Sequence, residues 1–141
     1  MKRFVRILAL ALATVLLCGM LVSCVPLVDS VKVETALLDA GYTVSFADDV
    51  IIGSYMSEGI DLDEKLIATL SFYDTNTRQR TEEYVVVCYF PDIKTAKKAM
   101  ERVTAEANAE KNDKYVDWIE PTCFGNVVYY GTKSAVEAAK K

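Results

Sequence analysis

Hydrophobic and polar positions divide the chain into two unlike parts. Ile7 to Val22 is a run of 16 residues, apolar except for Thr14 and Gly19, with Lys2, Arg3 and Arg6 ahead of it. Beyond it the apolar residues become periodic, in short blocks set apart by polar or glycine-containing breaks. Val33, Leu37 and Leu38 recur at helical spacing behind Asp29 and Ser30, either of which can cap a helix, and Gly41 takes the C′ place. Tyr42, Val44 and Phe46 then alternate with Thr43 and Ser45, the mark of a short strand with one covered face. Asp48 and Asp49 break the pattern before Val50 to Met56, which reads as a short helix or equally as a strand, closed by Gly59.

Leu66 to Tyr73 alternates more clearly, and the polar run Asp74 to Arg80 is a hairpin-type connection. Tyr84 to Phe90 is the most strand-like stretch and is expected to be the central strand; Pro91, lacking an N–H, stops its ladder. Asp92 caps a long helix over 93–109, in which Ile93, Ala96, Met100, Val103 and Ala107 form one apolar stripe. Tyr115 to Ile119 is ambiguous and is broken by Pro121; Asn126 to Tyr130 is a last strand, ended by Gly131. Ser134 and Glu137 have capping-box spacing at the head of a final helix. The expected fold class is α+β: a two-layer arrangement with a mostly antiparallel sheet covered by helices, the first and the long helix sharing one face. Without the flanking helices, the element order is the βαββαβ of a ferredoxin-like domain. If 50–56 is a strand, the alternative is a helix on a more continuous antiparallel sheet.

The leading run changes the picture most. A basic cap, an apolar stretch and small residues at a break point make an export signal, to be set aside from the fold. Its end, Leu21-Val22-Ser23-Cys24, resembles the lipobox of bacterial lipoproteins: Leu, a small or aliphatic residue, a small residue, then Cys. The resemblance covers residues 1–24 only. It implies that the Cys24 thiol receives a diacylglyceryl group and that cleavage before Cys24 makes it the mature N-terminus. An uncleaved spanning helix competes, but it needs about 20 apolar residues, and 16 residues at 1.5 Å each reach only about 24 Å. A plain secretory signal is the other rival. The expected organisation is a signal peptide over 1–23, a short lipid-anchored tether over 24–30, and one small domain over 31–141. Two acyl chains hold a protein durably where one does not. The expected location is therefore the cell membrane, on its extracytoplasmic face, with the membrane itself as partner through lipid on Cys24.

Charge narrows the other partners. Removing Lys2, Arg3 and Arg6 from 16 basic residues leaves 13 against 20 acidic ones, a formal balance of −7 for the mature chain. That argues against nucleic acid and against anionic lipid, both of which demand a positive face. There is no His, so Ser-His-Asp and Cys-His mechanisms are excluded within one chain, as is the commonest zinc ligand.

Of four Cys, Cys18 leaves with the leader and Cys24 carries lipid, so Cys88 and Cys123 remain. They are left open between a disulfide in an oxidising compartment and two buried free thiols. The acidic run Asp61-Leu62-Asp63-Glu64 lacks the spacing and glycine of a calcium loop and reads as a solvated turn, so no metal and no cofactor are expected. Tyr115 and Trp118, three apart beside an irregular segment, are the first choice for a contact patch toward an envelope protein or glycan. The expected role is a non-enzymatic binding or assembly module. The alternative is a small cell-envelope hydrolase that uses carboxylates without histidine, which requires a concave site with one carboxyl pKa raised.

Overall fold

The computed structural model describes residues 27–141; the leader, the lipobox and Cys24 lie outside the described residues. Along the chain run α1 (Ser30–Asp39), β1 (Thr43–Phe46), α2 (Asp49–Ser57), β2 (Glu64–Asp74), β3 (Gln79–Tyr89), α3 (Ile93–Glu110), β4 (Trp118–Phe124), β5 (Val127–Thr132) and α4 (Lys133–Ala139). The five strands form one sheet in the order β1-β2-β3-β5-β4, every neighbouring pair antiparallel. The fold is thus α+β, and β3 is central, as its composition predicted. Residues 50–56 are helical, with the Asp48 carboxylate accepting from the Ile51 N–H. Among the described residues, no helix is long and apolar enough to cross a membrane.

The two-layer expectation is corrected. Helices cover both faces of the sheet, making three layers. Val85, Val87, Tyr89, Val127 and Tyr129 point to α1 and α4, whereas Val86, Cys88, Phe90, Val128 and Tyr130 point to α2 and α3. The first and the long helix therefore lie on opposite faces. The reason is in the strands: Val85 to Phe90 and Val127 to Tyr130 are apolar at both parities, as strands buried on two sides must be. Nor does the sheet have ferredoxin-like order. β1 and β2, joined through α2, are direct antiparallel neighbours rather than parallel strands with another between them.

Two local departures matter. The segment around Pro121 is an edge strand, not a break: a bulge between Ile119 and Thr122 absorbs the proline at the rim of the sheet. At α4 the Ser134/Glu137 capping box does not form; Thr132 is the N-cap residue. Its hydroxyl is committed instead to β3, where the Tyr84 N–H donates to it at 3.1 Å and it donates to the Tyr84 carbonyl at 3.3 Å. Beside this lock, Gly131 has φ +140°, and a Cβ there would stand 2.1 Å from the Tyr84 carbonyl oxygen. Only glycine lets β3 and β5 approach so closely.

Candidate functional site

Tyr115 and Trp118 are brought together, but largely toward the protein. The Tyr115 ring stacks on Tyr84 with centroids 5.3 Å apart, and Trp118 sits 6.3 Å from Tyr84 and 6.1 Å from Tyr130. Both are half-buried, and the Trp118 indole N–H is buried without a partner. The Lys114 ammonium lies 4.9 Å from the Tyr115 ring centre while pairing with Glu82 at 2.6 Å. What remains outside is the edge of an aromatic stack rather than an open platform.

Cys88 and Cys123 are free thiols. The register explains it: both are partnered with Val128, one from each side, so two strand spacings separate them. That is about 9–10 Å, beyond the roughly 7 Å that a disulfide can span. The bridge is thus ruled out by the sheet. Burial pushes the Cys88 thiol up to about 12, so it is a protonated core group and no nucleophile.

Around Cys88 lies a cluster that the sequence reading missed. Lys65, opposite Cys88 on β2, is buried, with its ammonium 2.8 Å from a Glu106 carboxylate oxygen and 4.0 Å from Glu110 on α3. The Tyr55 hydroxyl donates to Glu106 at 2.6 Å; those of Tyr84 and Tyr130 donate to Glu110 at 2.7 and 2.9 Å. Arg102 closes the outside, 3.3 Å from Glu106 and 3.4 Å from Glu58, with its guanidinium 5.2 Å from the centre of the Tyr55 ring. Burial raises the Tyr55, Tyr84 and Tyr130 phenols well above the ordinary value, and the carboxylates they face add to it. The carboxylates accept from three phenols and pair with the Lys65 and Arg102 cations, while the Arg102 Nε–H is buried without a partner. The signals were a lysine at an inward position of a strand and two glutamates four apart beside the α3 stripe.

A carboxylate-rich cleft beside the first half of β3 has a volume of about 270 Å³ and is lined by Glu82, Glu83, Asp117 and Glu137 among others. Glu83 accepts from the Tyr42 hydroxyl, and the Lys114 ammonium holds the Glu82 carboxyl below the usual range. A general acid needs the opposite shift. Asp63, whose carboxyl is raised by burial and by the charge of Asp61, lies instead on the link into β2 and lines neither cavity.

A second concavity lies where the described chain begins. A groove of about 520 Å³ runs between the entering segment, the start of α1 and the end of α4. Leu27, Val33, Phe124, Tyr129 and Ala139 supply apolar surface, and the exposed lysines Lys32, Lys140 and Lys141 line it too. Its wall is pinned by Asn126: the Val28 N–H donates to the Asn126 side-chain carbonyl at 2.9 Å, and the Asn126 amide donates to the Phe90 carbonyl at 2.9 Å. The Asp29 carboxylate, also lining the groove, accepts from the Val31 N–H as the α1 cap. Leu27 is 64 % and Phe124 55 % exposed, so large apolar groups face outward here beside lysines. No family model, no curated protein and no solved structure matches the chain.

Proposed function

We propose that this chain is a bacterial envelope lipoprotein, tethered through Cys24 to the extracytoplasmic face of a membrane and serving as a non-enzymatic binding or assembly module. The observation that carries the reading is the Leu21-Val22-Ser23-Cys24 pattern at the end of a basic and then apolar leader. The described domain accords with it. Its first helix starts at Ser30, capped by Asp29, so the folded body begins six residues after the expected lipid. The binding role rests on the groove and on the character of the interior: Cys88 is kept protonated, and the buried charges are spent on one another. The test is metabolic labelling with a fatty acid in cells that express the chain. Label is expected on the wild type and absent from Cys24→Ala; label that persists in the variant refutes the assignment.

A further inference from the structure

We propose that the groove beside Leu27 is a phospholipid seat, and that it presses this end of the domain against the anchoring membrane. The inference rests on the lipoprotein reading above. Covalent geometry supplies the first argument: three links separate Leu27 from Cys24, a reach of about 11 Å at most. Whatever path those links take, Leu27, one of the residues lining the groove, stays within about 11 Å of Cys24.

Charge supplies the second argument. The mature chain carries a formal excess of acidic residues, 20 against 13 basic, yet Lys32, Lys140 and Lys141 line this groove, Lys140 with its ammonium 5.3 Å from the centre of the Tyr129 ring. Asp29 is the acidic side chain that lines it, and its carboxylate is engaged in capping α1. The local face is therefore positive on an otherwise acidic body. The proposed seat departs here from the expectation, drawn from net charge, that anionic lipid is disfavoured. Amines next to apolar walls suit an anionic phospholipid, with its phosphate on the lysines and the upper part of an acyl chain along Leu27, Val33 and Phe124. The protein's own acyl groups would satisfy the walls but not the lysines, since a thioether-linked diacylglyceryl carries no phosphate.

The experiment uses the full lipidated protein, its acyl mass verified, in vesicles of phosphatidylcholine alone or of three parts phosphatidylcholine to one of phosphatidylglycerol. Amide hydrogen exchange is read over 27–33 and 136–141, with the hairpin over 72–80 as internal control. Each basic residue near an anionic surface adds roughly five-fold to affinity. Exchange at the groove should therefore slow about five-fold or more in the anionic vesicles, and the effect should fade with added salt. Lys32→Gln/Lys140→Gln/Lys141→Gln should abolish the difference without altering the hairpin. Equal exchange in both vesicles, with acyl mass present, overturns the phospholipid seat and leaves the anchor standing. Groove protection that ignores both lipid charge and the lysine variant overturns it too, in favour of the protein's own acyl chain. A protein with no acyl mass removes the anchor and this inference together.

Discussion

The two faces of the sheet are closed in different ways, although they share the same strands. On the side of α1 and α4, aliphatic, alanine and tyrosine side chains meet β-strand valines, and the packing is apolar apart from phenol hydroxyls, of which that of Tyr89 is buried without a partner. On the side of α2 and α3, the same valine-rich strands meet an apolar stripe, Ala96 to Ala107, that gives way at its end to Lys65, Glu106, Glu110 and three tyrosines. An apolar face loses stability in proportion to the volume removed. A charged cluster loses it when a partner is left alone, and far less when partners leave together. Neighbouring residues on one strand, Leu66 and Lys65, should therefore respond to substitution by different rules.

The largest expected effect is at the seam that both faces depend on. Gly131→Ala drives a Cβ into the Tyr84 carbonyl and should cost at least about 3 kcal/mol in denaturant unfolding; a loss below about 1 kcal/mol would mean that β3 and β5 do not approach so closely. Leu66→Ala should cost about 2–5 kcal/mol, independent of salt. Lys65→Met should cost about 2–4 kcal/mol, because Glu106 keeps Tyr55 and Arg102 but loses its buried cation. Adding Glu106→Gln to Lys65→Met should recover part of that loss. If the two losses simply add, the contrast between the faces fails.

Alkaline titration tests the burial of both faces at once, since burial raises Tyr42, Tyr89 and Tyr129 on the α1 and α4 side as well. The phenols of Tyr55, Tyr84 and Tyr130, and the Cys88 thiol at about 12, have folded pKa values above their unfolded ones. Unfolding above those unfolded values releases protons. The contribution is thus complete below about pH 8.5 and is lost as pH rises through 9 to 12, by about 1.4 kcal/mol per pH unit for each group in its range. Denaturation midpoints that stay level between pH 8 and 11 would contradict the burial of these groups. In native protein at pH 8, a maleimide should label half-buried Cys123 and spare Cys88 until denaturant is added; equal rates would show that the α3 face opens. The smallest effect should be at the aromatic edge. Tyr115→Ala removes one ring from a half-exposed stack and should cost about 1 kcal/mol.

Much of the fold was legible because local signals were strong. Asp29 and Asp92 cap the helices expected behind them, Asp48 caps a segment that reads equally as helix or strand, and the α3 stripe buries Ala96, Val103 and Ala107. The layering was not read, although the doubly apolar run Val85 to Phe90 carried the signal; the alternation at Tyr42 to Phe46 and Leu66 to Tyr73 suggested one covered face instead. That face is buried at Tyr42, Leu66 and Ala68 but not at Phe46 and Phe72, which share its parity and are exposed. The edge strand through Pro121 depended on a bulge, and a bulge has no pattern in a single sequence. At the candidate site, Tyr115 and Trp118 were found as neighbours, but the stack on Tyr84 arises from contacts 31 and 34 residues apart in sequence. The groove was beyond reach for the same reason: it joins Leu27, Phe124 and Lys140 from three separate stretches.

The central claim is that a short tether joins this domain to lipid on Cys24. The most direct measurement is the intact mass and N-terminal peptide of the protein extracted from native envelopes. The account predicts a chain of 118 residues that starts at Cys24 and carries the added mass of at least two acyl groups. A 141-residue chain that still starts at Met1, with no lipid mass and recovered from the cytosol, would contradict it.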